Sequence, residues 1–98
     1  MPKISVIIPL FNKGFIISET LESVLVQTFT DFEIVIVNDG STDGCVQKIK
    51  DYTSDTRIRI INQKNQGVSV ARNIGVYHAK YEYIAFLDGD DEWLPGKI

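Results

Sequence analysis

Residues 34–37 are four consecutive β-branched residues, and a polar, turn-forming segment at residues 38–44 follows them directly. A strand with one face in water alternates apolar and polar residues, whereas this strand is apolar on both faces. That pattern is typical of a parallel sheet covered by helices on both sides. Because neighbouring parallel strands need a crossover long enough for a helix, the segment predicts an α/β fold.

Three further segments, residues 4–8, 58–61 and 83–87, have the composition of strands, and the fourth strand is expected to be buried. The first strand is expected to stop at Pro9, which has no N–H group to donate to a neighbouring strand. Between the strands, apolar and small residues recur at helical spacing. They are Ile17, Leu21, Val24 and Leu25 for the first helix, Val46, Ile49 and Tyr52 for the second, and Val68, Ala71, Ile74, Gly75 and His78 for the third. Small residues in the third helix would allow close packing on the sheet.

The order β-α-β-α-β-α-β with right-handed crossovers predicts a Rossmann-like, doubly wound parallel sheet. In such a sheet, every junction from a strand to the following helix opens at one edge, where parallel sheets bind ligands. The junctions fall at residues 9–12, 38–43, 62–67 and 88–91, which are also the polar, turn-rich segments of the chain. The sequence therefore predicts a ligand site along this edge.

The last junction begins a run of four carboxylates within five residues: Asp88, Asp90, Asp91 and Glu92. Carboxylates this close repel one another, which raises their proton affinity and costs stability. A hard divalent cation, Mg²⁺ or Mn²⁺, relieves the repulsion and often bridges to the phosphates of a substrate. The alternative is a solvated acidic turn, because Asp and Gly are common turn residues. The position at the end of a strand favours the metal site.

Several other binding motifs are excluded. No G-x-G-x-x-G follows the first strand, and the chain has no Walker-type phosphate loop. Residues 39–44 imitate the start of a calcium-binding loop, but its twelfth position is Lys50, where a bidentate Glu is needed. Asp39 is therefore expected in a turn that caps the following helix, and the open question is whether it also faces a ligand.

The 98 residues allow at most one small domain. The net charge of −3 differs from the positive charge that is typical of proteins that bind nucleic acid. The single cysteine, Cys45, excludes an internal disulfide and suits a reducing compartment. No apolar run approaches the roughly 20 residues that span a membrane. We expect a cytoplasmic protein that reaches the cytoplasmic face of a membrane only through regions outside this sequence.

Four segments in this order resemble the inverting family 2 glycosyltransferases: residues 4–9, residues 38–43, residues 65–67 with 71–73, and residues 88–91. They are spread over essentially the whole chain, which makes the resemblance specific, whereas an isolated D-x-D motif would be a weak signal. The resemblance implies the A-type glycosyltransferase fold. It also implies that a nucleoside diphosphate sugar, with a UDP-sugar favoured, lies across the strand ends, and that the acceptor is a glycan or a lipid-linked group.

The same resemblance implies roles for residues at the base of the nucleotide. Asp39 matches the acid that accepts a hydrogen bond from the base, and Pro9, Phe11 and Asn12 belong to the nucleotide-binding loop after the first strand. Asn38 stands where the family often has a second acid, so its role is open.

At the other end of the nucleotide, Asp88 and Asp90 match the D-x-D acids. Asp88 is expected near the ribose, and both acids are expected to hold Mn²⁺ or Mg²⁺ on the diphosphate, with Asp90 as the more direct ligand. Arg72 is expected either to approach the nucleotide or to form an ion pair with a neighbouring acid.

The family's catalytic base lies well downstream of the D-x-D motif, so no catalytic residue is predicted within this chain. Pro95 is typical of the first turn of a helix, and the sequence ends three residues later. We therefore interpret residues 1–98 as the nucleotide-sugar-binding part of a glycosyltransferase domain, truncated after the D-x-D motif. Such a part is expected to be inactive alone and to self-associate through apolar surface around Trp93 and Leu94.

Three alternatives compete with this interpretation. A sugar-phosphate nucleotidyltransferase can share the fold, but its glycine- and arginine-rich first loop is absent. A response-regulator-like domain needs paired acids directly after the first strand, where Pro9 and Leu10 stand. A noncatalytic nucleotide-binding module remains open, because the chain lacks a candidate base.

Overall fold

The computed structural model describes residues 3–14, 16–26 and 31–88. Its elements are β1 (Ile4–Leu10), α1 (Ile17–Leu25), β2 (Phe32–Asp39), α2 (Cys45–Lys48), a 3-10 helix (Lys50–Ser54), β3 (Ile58–Gln63), α3 (Val68–His78) and β4 (Tyr83–Phe86). Within these ranges, the strands form one parallel sheet in the order β3-β2-β1-β4. The predicted parallel α/β architecture is confirmed. None of the helices in these ranges is long and apolar enough to cross a bilayer.

Helices cover both faces of this sheet. On one face, Ile17 of α1 and Cys45 of α2 join a buried core with Ile8. On the opposite face, Ala71 of α3 packs with Ile7. Successive residues of a strand point to opposite faces, so the covered middle of β2 needs apolar residues on both faces, as the sequence predicted for residues 34–37. The sheet is therefore doubly wound, and the order of the strands reverses between β1 and β4.

The third helix lies unusually close to the sheet at Gly75. This residue is buried, and a Cβ atom built on it would overlap Cγ2 of Ile7 on the central strand β1. The absence of a side chain at Gly75 thus lets α3 approach β1, which confirms the predicted role of small residues in this helix.

The predicted end of the first strand at Pro9 is wrong, because β1 continues to Leu10, with Pro9 opposite Val37. The Ile4 N–H donates to Asp31 O on the β2 side, whereas Ile7 O accepts from Leu87 N on the β4 side. Alternation along the strand places the Pro9 nitrogen on the β4 side, beside Leu87, whose N–H donates to Ile7 O. The next bond of a parallel ladder would run from residue 9 N to Leu87 O, so proline omits this bond and the pairing of β1 with β4 ends at Ile7 and Phe86. The pairing with β2 continues to Leu10, because the Pro9 nitrogen points away from β2.

The predicted second helix is divided into α2 and the 3-10 helix. Ile49 N donates to Val46 O and Tyr52 N donates to Ile49 O, three residues back in each case, which tightens the helix at this point. The three predicted apolar residues still pack on the same core. The apolar spacing was right about the buried face and wrong about a continuous α-helix.

The expectation of a buried fourth strand is also wrong. In the part of the chain that the structure describes, β4 pairs with β1 alone and lies at the edge of the sheet. Tyr83 is 56% exposed and Phe86 is 49% exposed. An apolar composition identifies a strand, but it does not give the position of that strand in the sheet.

A buried carboxylate, Glu33, fixes the amino-terminal end of the sheet. Its Oε2 accepts hydrogen bonds from Ser5 Oγ and Lys80 N, both at 2.6 Å, and its Oε1 lies 3.1 Å from Arg59 Nη2. Burial raises the pKa of Glu33, but the Ser5 hydroxyl, the Lys80 N–H and the Arg59 guanidinium together hold this pKa below its ordinary value. The charged Glu33 thereby joins β1, β2 and β3 to the connection between α3 and β4.

Candidate functional site

A cavity of about 470 Å³ lies at the carboxyl ends of the strands, beside the point where the strand order reverses. Parallel sheets bind ligands at this position. The lining comes from all four strand ends or the segments that follow them: Pro9, Leu10, Phe11, Lys13, Asp39, Asn65, Gly67, Val68, Ala71, Arg72 and Asp88. The four polar junctions of the sequence therefore meet at one site.

Five of the predicted nucleotide-binding residues line this cavity: Pro9, Phe11, Asp39, Arg72 and Asp88. The Phe11 side chain is 45% exposed, so its ring offers a face on which a flat ligand can stack. The cavity combines this ring with two carboxylates and a guanidinium, which are the groups that a nucleotide needs for its base, its ribose and its phosphates.

Asn12, the sixth predicted nucleotide-binding residue, is not among the lining residues. It has a left-handed backbone with φ of +51°, a conformation that asparagine tolerates. Its Oδ1 accepts hydrogen bonds from Thr42 N at 2.8 Å and Asp43 N at 3.2 Å. The Asn12 side chain therefore connects the loop after β1 to the loop after β2.

Asp39 is 4% exposed and holds the loop between β3 and α3. Its Oδ1 accepts from Gln66 N at 2.8 Å and Gln63 Nε2 at 2.9 Å, and its Oδ2 accepts from Gly67 N at 3.0 Å. Asn65 Nδ2 donates to the Asp39 backbone oxygen at 3.1 Å. One carboxylate thus fixes the loop that forms one wall of the cavity.

The expectation that Asp39 caps the helix after its own strand is wrong. The N-cap of α2 is Gly44, and Asp43, the residue before it, supplies a side-chain acceptor, since its Oδ1 accepts from Cys45 N, the first residue of α2, at 3.0 Å. Asp39 lies opposite Gln63 in the parallel register of β2 and β3. Its side chain therefore reaches the end of the neighbouring strand more easily than the helix that follows in sequence.

The structure answers the question about Asn38. Its Oδ1 accepts from Ser41 N at 3.1 Å, and its Nδ2 donates to Asn62 Oδ1 at 2.9 Å on the neighbouring strand. Asn38 thus shapes the turn after β2 and joins β2 to β3, a role that uses both the acceptor and the donor of an amide.

Arg72 and Asp88 form an ion pair beside the cavity, with 3.0 Å between Arg72 Nη2 and Asp88 Oδ1. Arg72 lies on α3 and Asp88 follows β4, so the pair joins two walls of the site. Arg72 Nε is buried and has no hydrogen-bond partner within the described ranges. The ion pair, one of the two roles expected of Arg72 from the sequence, is present. The positively charged Arg72 side chain lines the cavity.

The metal prediction rests on Asp88 and Asp90. Asp88 brings to the cavity a carboxylate, the type of ligand that Mg²⁺ and Mn²⁺ prefer. Asp90 lies outside the described residues, as do Asp91 and Glu92. Across residues 3–14, 16–26 and 31–88, no three His, Cys, Asp or Glu side chains are grouped as metal ligands. The Asp88 carboxylate is therefore a suitable ligand for a hard cation, but one side chain does not define a metal site.

Six lining residues were not among the predicted site residues: Leu10, Lys13, Asn65, Gly67, Val68 and Ala71. Leu10, Asn65 and Gly67 lie within predicted junctions, Lys13 lies one residue beyond a junction, and Val68 and Ala71 lie on α3. The predicted junctions were therefore the sequence signal that could have indicated the loop residues of the site. Loop residues have no fixed periodicity, so the sequence could not indicate which of their side chains face the cavity.

The strand order β3-β2-β1-β4 and the cavity at its reversal point define a Rossmann-like α/β domain. The family model described as glycosyl transferase family 2 matches residues 5–98. The chain therefore belongs to glycosyl transferase family 2, as its motifs predicted.

Two curated relatives illustrate the match. The uncharacterized glycosyltransferase YibD of Escherichia coli (strain K12) is 48% identical over 94 residues, which cover 95% of this chain and 27% of the relative. The uncharacterized glycosyltransferase EpsJ of Bacillus subtilis (strain 168) is 46% identical over 92 residues, which cover 93% of this chain and 27% of the relative. The chain thus spans about a quarter of the length of these relatives.

Two solved structures have the same fold. Residues 1–349 of S. aureus TarS, in complex with UDP-GlcNAc, match with a TM-score of 0.88 and 33% identity, over 97% of this chain and 28% of that 1–349 chain. The mannosyltransferase PcManGT from Pyrobaculum calidifontis, in complex with GDP-Man and Mn²⁺, matches with a TM-score of 0.88 and 25% identity, over 98% of this chain and 29% of that structure. The predicted A-type glycosyltransferase fold is confirmed.

Proposed function

We propose that this chain is the donor-binding part of an inverting, metal-assisted glycosyltransferase. The donor is a nucleoside diphosphate sugar, with a UDP-sugar favoured, and the acceptor is a hydroxyl of a glycan or a lipid-linked group. The observation that carries the proposal is the convergence of Phe11, Asp39, Arg72 and Asp88 on one cavity. Family membership and the nucleotide sugars bound by TarS and PcManGT support it.

The base is proposed to bind at Phe11 and Asp39. Its flat ring stacks on the exposed face of Phe11, and an N–H group of the ring donates to Asp39. Asp39 Oδ1 already accepts two strong hydrogen bonds, whereas Oδ2 accepts one from Gly67 N and a long one of 3.5 Å from Asn65. Oδ2 is thus the oxygen with acceptor capacity for a base. Uracil and guanine have such a ring N–H group, and cytosine does not.

The ribose and diphosphate are proposed to lie toward Asp88 and Arg72. Asp88 accepts hydrogen bonds from the ribose hydroxyls, and the Arg72 guanidinium balances the negative charge of the phosphates. Asp88 and Asp90 would hold Mn²⁺ or Mg²⁺, which acts as a Lewis acid for the leaving diphosphate. The chain itself binds and orients the donor.

The remaining parts of the reaction are proposed to lie outside these 98 residues. Inversion requires a carboxylate that removes the proton of the acceptor hydroxyl. We assign that base to a segment beyond the D-x-D motif and expect no sugar transfer by this chain alone. We also propose a cytoplasmic location, with self-association through apolar surface around Trp93 and Leu94, which lie outside the described residues. The exposed Tyr83 and Phe86 of β4 add apolar surface within the described residues.

Isothermal titration calorimetry of the chain with UDP, with and without Mn²⁺, tests the proposal. We expect weak binding without metal and tighter binding with Mn²⁺, since Asp88 and Asp90 would hold the cation and its charge would attract the diphosphate. CDP should bind more weakly than UDP, because its base lacks the ring N–H group that Asp39 accepts.

Matched variants make this experiment sharper. Asp90→Asn should abolish most of the Mn²⁺ dependence, and Asp88→Asn should reduce it less. Asp51→Asn is the control, since it removes the same charge from an exposed residue of the 3-10 helix that does not line the cavity. Equal UDP affinity with and without Mn²⁺ would contradict the metal bridge, and equal affinity for UDP and CDP would contradict the role of Asp39.

A further inference from the structure

The loop after β1 is held by hydrogen bonds to a loop whose residues do not line the cavity. We call residues 11–14 the β1–α1 loop and residues 40–44 the β2–α2 loop. Asn12 N donates to Ser41 Oγ at 3.1 Å, and Asn12 Oδ1 accepts from Thr42 N and Asp43 N. An amide oxygen has two acceptor sites, and the β2–α2 loop occupies both of them here.

A second attachment lies two residues further along the same loop. Gly14 N donates to Asp43 Oδ2 at 2.9 Å, and a Cβ atom at Gly14 would lie 3.0 Å from that oxygen. The Gly14 N–H, with help from Cys45, lowers the pKa of the Asp43 carboxyl. Asp43 is therefore a charged acceptor, and the two loops approach closely at Gly14.

The attached residues alternate with residues that line the cavity. Asn12 and Gly14 are bound to the β2–α2 loop, whereas Phe11 and Lys13 line the cavity. Fixing the backbone at positions 12 and 14 thus restricts the directions in which side chains 11 and 13 project. An exposed loop without such attachments would have to be ordered each time a ligand binds, at a cost in affinity.

We propose that Asn12 and Asp43 are positioning residues, which hold Phe11 and Lys13 in the geometry that receives the nucleoside diphosphate. The ligand in this inference rests on the proposed function. Asn12 itself does not touch the nucleotide. A direct contact through Asn12 Oδ1 would require the loss of the hydrogen bonds to Thr42 and Asp43.

The test compares Asn12→Gly with Asn12→Asp. Glycine adopts a φ of +51° without strain, so Asn12→Gly removes the side-chain acceptor and leaves the backbone conformation accessible. Aspartate keeps the acceptor oxygen and also tolerates this conformation. Asp43→Asn is a second disruptive variant, because its single side-chain oxygen cannot accept from both Gly14 N and Cys45 N in the present geometry.

Two measurements are made on each variant. Amide hydrogen exchange at Thr42 and Asp43, followed by NMR without nucleotide, reports the attachment itself. Calorimetric titration with UDP and Mn²⁺ reports its consequence. Asn12→Gly should exchange faster and bind UDP about 5- to 50-fold more weakly, which is the effect of having to order one or two additional side chains. Asp43→Asn should also weaken UDP binding, and Asn12→Asp should resemble the wild type in both measurements.

Each result supports or overturns the inference. Faster exchange in Asn12→Gly with unchanged UDP affinity overturns the positioning role. Weak binding by Asn12→Asp with preserved protection of Thr42 and Asp43 also overturns it, because it indicates a direct contact by the Asn12 amide group. If Asn12→Gly does not fold, unchanged affinity in Asp43→Asn has the same meaning. Absence of UDP and GDP binding by the wild-type chain would instead overturn the proposed function, and this inference with it.

Discussion

Replacing Asp39 with asparagine should destabilise the fold, even though the two side chains have nearly the same shape. Asp39 is 4% exposed, and its two carboxylate oxygens accept hydrogen bonds from four N–H groups at the end of β3 and in the β3–α3 connection. The donors are Gln66 N and Gln63 Nε2 at Oδ1, and Gly67 N and Asn65 Nδ2 at Oδ2. Asparagine has one oxygen for these donors, and its amide group would face other N–H groups.

The size of the effect follows from these contacts. Asparagine can keep the bonds to Gln66 and Gln63 while its amide group faces Gly67 N. A buried N–H group without a partner costs about 1 to 3 kcal/mol, and the lower end applies because water reaches the exposed Gly67. The hydrogen bonds that remain lose the contribution of the charge, which is about another 1 kcal/mol. We therefore expect the free energy of unfolding to fall by about 2 kcal/mol.

Urea unfolding followed by circular dichroism measures this change. With a slope of about 1.5 kcal/mol per molar urea, the midpoint of Asp39→Asn should fall by roughly 1 to 1.5 M. Asp51→Asn, which removes the same charge from an exposed residue, should leave the midpoint nearly unchanged. A loss in Asp39→Asn no larger than in Asp51→Asn would refute the reasoning, because it would mean that the carboxylate does not hold the loop. The affinity of Asp39→Asn for UDP must accordingly be measured well below its unfolding transition.

Two further predictions concern the packing and the charge of the sheet. Gly75→Ala should lower the free energy of unfolding by about 1 to 2 kcal/mol, because the overlap of the added methyl group with Ile7 outweighs the higher helix propensity of alanine. Thermal unfolding measures this change, with Asn73→Ala at an exposed position of the same helix as the control. An unchanged or raised melting temperature of Gly75→Ala would contradict the close contact. Glu33→Gln should cost about 2 to 3 kcal/mol near neutral pH. Since the pKa of folded Glu33 lies below its ordinary value of 4.5, its charge stabilises the fold above that pH, and this contribution is lost as the pH falls through the folded pKa. The difference in unfolding free energy between wild type and Glu33→Gln should therefore be largest above about pH 5 and shrink on acidification. A difference that does not change between about pH 7 and pH 3 would contradict the charged state of Glu33.

Much of the fold could be predicted from local patterns. A strand that is apolar on both faces, such as residues 34–37, is stable only where helices cover both sides, so the parallel sheet followed from composition. The apolar spacing also identified the packed faces of α1 and of the second helical segment, whereas in α3 it was right for Ala71, Ile74 and Gly75 and wrong for Val68 and His78, which are exposed. The pattern of apolar residues along a helix or strand indicates which of its faces are buried, even when the elements that pack against those faces are unknown.

Details that depend on neighbouring strands were not available from those patterns. Pro9 continues β1 because its nitrogen points away from β2, which pairs with β1 as far as Leu10, and β4 lies at an edge because, in the described ranges, only β1 pairs with it. Neither fact is encoded in the residues themselves. Both depend on the order and length of strands that are distant in sequence.

The site shows the same division. The sequence by itself determined which residue types meet at the carboxyl edge, because parallel topology brings every strand end there. Only the tertiary structure decided what each side chain does at that edge. Asp39 binds the loop after β3 because its register partner is Gln63, and Asn12 binds the loop after β2 because the two loops are adjacent in space. Hydrogen bonds form between groups that are close in three dimensions, and in loops that closeness is set by packing and not by any periodicity of the sequence.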